Sequence, residues 1–124
     1  MPYHILVVDD NDMNLALLSK ILEYEGYQVS TAQTGNAAIQ LALENMPDLA
    51  ILDVMMPEMS GYDLCRKMRL PPFSTKFPIV LLTAMSTDED RALALEAGAN
   101  EVWNKPFDLD LFRQRVGELI KRPE

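Results

Sequence analysis

Apolar and polar positions follow two different periods along this chain. Short apolar runs at 5–8, 27–32, 49–52, 79–82 and 101–104 read as strands. Three of them are nearly continuous Val, Ile, Leu and Ala, the pattern of strands covered on both faces. Between them the period lengthens to that of a helix. Leu15, Leu18, Ile21 and Leu22 form one stripe, with Gly26 as its stop. Ala38, Ile39 and Ala42 form a second, with Asn45 and Pro47 beyond its end. Leu64, Cys65 and Met68 form a third behind Ser60, a predicted N-cap. A fourth helix is expected from Thr87, with Asp88, Glu89 and Asp90 at its positive end and Gly98 closing it. Leu109, Phe112, Val116 and Leu119 mark a fifth, capped by Asp108. The prolines of the stretch 69–78 are expected to end the third helix.

Strands alternating with helices predict an α/β chain: a five-stranded parallel sheet with right-handed crossovers and five helices on its two faces. Ligands of such sheets bind beyond the carboxyl ends of the strands. Those ends carry the chemistry here. The first strand runs into Asp9 and Asp10, the third into Asp53, the fourth into Thr83 and then Ala84, and the fifth into Lys105 and Pro106. Three carboxylates, one hydroxyl and one ammonium should therefore meet on one edge. Like charges held close are costly unless a proton or cation lies between them. An all-oxygen set suits a hard cation, and Mg²⁺ takes one or two carboxylates together with phosphate oxygens. With that cation, the Asp53 carboxylate can attack phosphorus and form an acyl phosphate. Asp9 and Asp10 would hold the metal, Lys105 would meet one phosphoryl oxygen and the Thr83 hydroxyl another. The bland reading is that Asp9 and Asp10 only cap the loop and first helix. It does not explain Asp53, Thr83 and Lys105 at matching strand ends.

Composition narrows the partners. One chain of 124 residues, 48% hydrophobic, suits a single domain with an ordinary core. A net charge of −8 argues against direct binding to nucleic acid or to an anionic membrane. One cysteine excludes an internal disulfide, and one histidine excludes a His-rich metal site. No apolar run reaches membrane-span length and no signal-peptide pattern opens the chain, so a cytoplasmic protein is expected.

The motifs ILVVDDND (5–12), DLAILDVMMPEMSGYDLC (48–65), IVLLTA (79–84) and NKPF (104–107) resemble, in order and spacing, the receiver domains of two-component response regulators. The resemblance spans essentially the whole chain, 1–124, as one phosphoacceptor domain. It implies the flavodoxin-like receiver fold, doubly wound, with strand order 2-1-3-4-5. It also implies Mg²⁺-dependent transfer of phosphate to Asp53 from a phosphohistidine on a sensor histidine kinase or histidine phosphotransfer protein. By position, Asp10 and Asp53 match the side-chain metal ligands, Asp9 the water-linked acidic partner and Met55 the backbone-carbonyl ligand. Thr83 and Lys105 match the switch hydroxyl and the conserved lysine, and the Lys105–Pro106 bond a peptide usually cis. Such a domain is no turnover enzyme. It phosphorylates itself from a donor, loses the group slowly, and signals through contacts with a downstream protein around the fourth helix, fifth strand and fifth helix.

Two departures bear on that signal. The family usually carries Tyr or Phe three residues before the lysine, where this chain has Val102, a stiff side chain that would follow the hydroxyl only weakly. Trp103 should point to the opposite face and pack there. Met55 and Met85, at the family positions flanking the path of attacking water, cannot orient water as an acid or amide does, so slow self-dephosphorylation is expected. Asn11 and Asp12 are candidates for contact with the donor domain. Cys65 reads as core, His4 as structural or exposed, and Met56 and Met59 as loop filling. Arg91, Arg113 and Arg115, with Glu96 and Glu101, are either a salt-bridged dimer face or solvated charges.

Other functions fit less well. An aspartyl phosphatase would carry an acid two residues after its nucleophile, where Met55 stands. A nucleotide or flavin domain would have a Gly-rich loop where DDNDMN (9–14) stands. A receiver-like module that binds partners without phosphorylation remains the main alternative, suggested by Val102. The chain stops soon after the fifth helix, which fits a stand-alone receiver, a phosphorelay carrier or a domain cut from a larger protein.

Overall fold

A computed structural model describes residues 2–74, 77–84, 87–105 and 108–120. Five parallel strands, β1 (His4–Val8), β2 (Gln28–Ala32), β3 (Leu49–Asp53), β4 (Ile79–Thr83) and β5 (Glu101–Asn104), form one sheet in the order β2-β1-β3-β4-β5. Helices α1 (Asp12–Tyr24), α2 (Gly35–Glu44), α3 (Gly61–Lys67), α4 (Asp88–Ala97) and α5 (Leu109–Ile120) alternate with them. This is the expected fold and strand order.

Alternation within each strand divides the core in two. Leu6, Val8, Leu52, Ile79 and Leu81 face α2, α3 and α4, against Ala38, Leu64, Cys65 and Ala94. Ile5, Val7, Ile51, Val80 and Leu82 face α1 and α5, against Leu18, Leu22, Phe112 and Val116. Each fully buried aliphatic side chain contributes about 1.5–3 kcal/mol, so β1, β3 and β4, buried throughout, form the rigid centre. The Cys65 thiol belongs to this packing. Its burial pushes its pKa up to about 11, against the opposing charges of Arg69 and Arg66, which leaves it an inert core group.

Helix starts follow the polar residues that precede them. Asn11, Thr34, Ser60 and Thr87 each accept a backbone N–H from their own first turn. The Asp108 Oδ1 accepts the N–H groups of Asp110 and Leu111. Gly98 closes α4 in the left-handed conformation at φ 98°. Several boundaries differ from expectation: β1 begins one residue earlier, at His4, and β3 and β4 each run one residue further, to Asp53 and Thr83. Tyr27 is outside β2 because its N–H bonds back to the Leu22 carbonyl at the end of α1. The third helix stops at Lys67, ahead of Pro71, because the chain tightens there: Arg69 N–H bonds to Arg66 O and Leu70 N–H to Lys67 O.

Arg69 then organises the far end of the sheet. Its guanidinium donates to the carbonyls of Gly98 (2.8 Å), Phe77 (2.7 Å) and Ser74 (3.3 Å) and to Asn100 Oδ1 (2.8 Å). Asn100 Oδ1 also takes the Ile79 N–H at the start of β4. His4, buried at the start of β1, is structural: its N–H meets Asp48 and its Nε2 pairs with Ser30 Oγ at 2.7 Å. Pro106, Met85 and the final 121–124 lie outside the described residues, so the geometry expected of the Lys105–Pro106 bond and of Met85 lies there too. Arg69→Met should lower unfolding stability by about 3 kcal/mol in urea titrations, since it strands several carbonyls. Arg69→Lys should recover only part, because an ammonium cannot span the same fork.

Candidate functional site

The register delivers the site. Val8 lies beside Leu52, and Asp53 beside Leu82, so the residues following β1 meet the last residue of β3. Oxygens of Asp9, Asp10 and Asp53 all lie within 4.8 Å of one another. Asp9 and Asp53 are buried, and Asp10 is exposed at the mouth. Thr83, the last residue of β4, is buried. Lys105 follows β5 and is held by its N–H on the Thr83 carbonyl at 2.8 Å. Its Nζ reaches Asp53 Oδ1 at 2.8 Å and Asp9 Oδ2 at 3.5 Å.

The electrostatics follow from burial and count. Burial raises the Asp53 pKa above its ordinary value, and the charges of Asp9 and Asp10 add to this. The hydrogen bond and charge of Lys105 oppose the rise without cancelling it. For Lys105, burial alone would lower the pKa, but the hydrogen bond and charge of Asp53, then those of Asp9, prevail and raise it. Among the described residues, three carboxylates against one ammonium leave an excess of negative oxygen in a confined place. That donor set, with neither His nor Cys, fits a hard divalent cation.

Two supports around the site were not evident from sequence. Gly61, at the start of α3, donates its N–H to Val54 O at 2.9 Å. A Cβ there would stand 2.5 Å from the Asp53 carbonyl oxygen and 2.8 Å from Val54 Cα. Only glycine allows α3 to start this close to the nucleophile candidate, and its one signal was its place directly after the N-cap Ser60. On the other side, Asp9 is held by its own helix: Asn11 N–H donates to Oδ1 at 3.0 Å and Asn14 Nδ2 to Oδ2 at 3.3 Å. Asn11, expected as a donor-domain contact, is thus engaged in capping α1 and bracing Asp9.

The remaining sequence candidates fall as follows. Met55 lies two residues past Asp53 and is 74% exposed. Val102 packs towards the α4 side of the sheet, and Trp103 lies on the opposite face, edge-on to Phe112 with ring centroids 5.7 Å apart. The Trp103 Nε1–H donates to Glu101, which also pairs with Arg115. Glu96 pairs with Arg66 of α3 at 4.0 Å, and Arg113 with Asp110 of its own helix. A cleft of about 420 Å³ opens beside Asp9 and Lys105, walled by Leu17, Leu18 and Leu109.

Comparison with known proteins gives this arrangement its class. The model of the response regulator receiver domain matches residues 5–117, and the chain belongs to that family. The response regulator PleD of Caulobacter vibrioides is 42% identical over 121 residues, 98% of this chain. The chain spans only 27% of the length of that relative. Among solved structures, a putative response regulator from Chloroflexus aurantiacus aligns with a TM-score of 0.90 at 36% identity, over 98% of this chain and 100% of that one. The receiver domain of a Pseudomonas aeruginosa sensor histidine kinase, solved with a magnesium ion coordinated in its active-site cleft, aligns with a TM-score of 0.88 at 29% identity. That match covers 98% of this chain and 100% of the other. No helix among the described residues is long and apolar enough to cross a membrane.

The raised pKa of Asp53 has a definite sign. The folded state binds a proton at Asp53 more tightly than the unfolded chain does, so ionised Asp53 opposes folding above its folded pKa. Without divalent cations, Asp53→Asn should therefore raise the thermal unfolding temperature at pH 7. The advantage should shrink as the pH falls through the raised pKa of Asp53. Parallel melts in chelator from pH 7 to pH 4 check this.

Proposed function

We propose that residues 1–124 act as one phosphoryl-accepting signalling unit, with Asp53 as the acceptor. The observation that carries this reading is the meeting of three carboxylates within 4.8 Å, one of them 2.8 Å from Lys105 Nζ. An Asp53 oxygen attacks phosphorus, the P–N bond of a phosphohistidine breaks, and the imidazole leaves with that electron pair. Lys105 moves from the Asp53 oxygen to a phosphoryl oxygen, and the Thr83 hydroxyl donates to another. Asp9, Asp10, Asp53 and the Met55 carbonyl would hold Mg²⁺, which when bound neutralises charge between carboxylates and phosphoryl group. The donor is a sensor histidine kinase or a histidine phosphotransfer protein. The output is contact with a downstream protein rather than with nucleic acid or membrane, in keeping with a net charge of −8 and a cytoplasmic setting. No catalytic turnover of a substrate is assigned.

A second reading, a module that binds partners without being phosphorylated, rests on Val102. The aliphatic side chain packs in the sheet face and offers no ring to swing with Thr83. Intact-mass measurement after mixing with a small acyl phosphate separates the two. One added phosphoryl group is expected, abolished by chelator and by Asp53→Asn, and reduced at least tenfold in rate by Lys105→Ala. No addition to the wild-type chain under any donor would remove the first reading.

Lifetime follows from Met55. Its thioether can neither deprotonate nor orient a water beside the acyl phosphate, so decay after donor removal should be slow. Met55→Glu should speed it roughly tenfold, a modest part of what a well-placed base provides. An unchanged decay rate would show that this position does not govern water.

A further inference from the structure

Asp9 is the second, more distant of the two buried carboxylates that pair with Lys105. Its Oδ2 lies 3.5 Å from Nζ, whereas Asp53 Oδ1 lies 2.8 Å away. Both acids are buried, so Coulomb attraction alone does not explain why the lysine favours one. The difference lies in what else holds Asp9. Asn11 N–H fixes Oδ1 at 3.0 Å and Asn14 Nδ2 draws Oδ2 at 3.3 Å. Asn14 is itself held in place, since its backbone N–H is capped by Asn11 Oδ1 at 2.9 Å. The three residues form a closed ring of hydrogen bonds at the start of α1. The orientation of the Asn14 amide is set by chemistry, because an ionised carboxylate only accepts and the NH₂ must face it.

We propose that Asn14 is a positioning residue for the cation site, restraining the Asp9 carboxylate so that Lys105 stays on Asp53 and the Asp9 oxygens remain open to a divalent cation. This rests on the assignment of Asp9, Asp10 and Asp53 as the cation-holding set. Without the Asn14 donor, Oδ2 is free to turn and shorten its 3.5 Å ion pair with Lys105. Tightened, that pair occupies the oxygen the cation needs and draws the ammonium from the acceptor aspartate. Partners one step removed from a metal commonly change its affinity by 10–100-fold.

The test is calorimetric titration of Mg²⁺ into the wild-type chain, Asn14→Ala and Asn14→Leu, the latter keeping bulk and raising helix propensity while lacking the donor. Each protein is also phosphorylated with a small acyl phosphate over a range of Mg²⁺, and the hydrogen exchange of the Asn11 amide is followed in chelator. Both variants should bind Mg²⁺ about tenfold more weakly. Their phosphorylation rate should return to within threefold of wild type at saturating Mg²⁺, as a general packing defect would not. The Asn11 amide, deprived of a fixed acceptor, should exchange faster. Variants that fold and bind Mg²⁺ within twofold of wild type would overturn the proposal. A wild-type chain that binds no Mg²⁺ would overturn the cation assignment itself and this proposal with it, an outcome distinct from a normal wild type with unaffected variants.

Discussion

The contact between the Lys105 ammonium and the buried Asp53 carboxylate, 2.8 Å apart, is what the rest of the site depends on. Among the described residues, that ammonium is the cation set against three carboxylates, and it offsets only part of their mutual repulsion. The remaining excess of negative charge is why a hard cation fits. Burial, with the charges of Asp9 and Asp10 added to it, raises the Asp53 pKa, while the Asp53 and Asp9 carboxylates raise that of Lys105 against its burial. Remove the ammonium and the sheet edge would carry buried carboxylates with no internal counter-charge, a state proteins avoid by taking up protons.

Every neighbouring element constrains that contact. The parallel register of β1, β3 and β4 brings Asp9 beside Asp53, with Thr83 one residue further along β4. The Lys105 N–H on the Thr83 carbonyl brings the chain leaving β5 to the same level. Gly61 lets α3 begin against the backbone of Asp53 and Val54, and the Asn11–Asn14 ring holds Asp9 from the other side. Far from the site, Arg69 ties the loop before β4 to the end of α4, so the strand that carries Thr83 is anchored at its opposite end.

The path from the site to the surface is less conventional. Val102 and Trp103 divide between the two faces of β5, and the ring that exists is committed to Phe112 and, through its N–H, to Glu101. A change at Thr83 therefore meets a compact aliphatic side chain on one face and a pinned indole on the other.

Much of this was determined by local sequence. Apolar period, turn residues and caps such as Ser60, Thr87 and Asp108 specified the elements, because those signals act within a few residues. The alternation of strand and helix specified the sheet edge on which Asp9, Asp10, Asp53, Thr83 and Lys105 meet, and the motifs added the strand order by resemblance. Tertiary structure decided what depends on distances between remote segments. The end of α3 at Lys67, the four acceptors of Arg69, the close approach allowed by Gly61 and the bracing of Asp9 by Asn14 were not evident from the pattern. Each turns on a hydrogen bond or a contact of a few ångströms, set by how rigid elements pack, and hydrophobic period specifies which face is buried without specifying which atoms meet there.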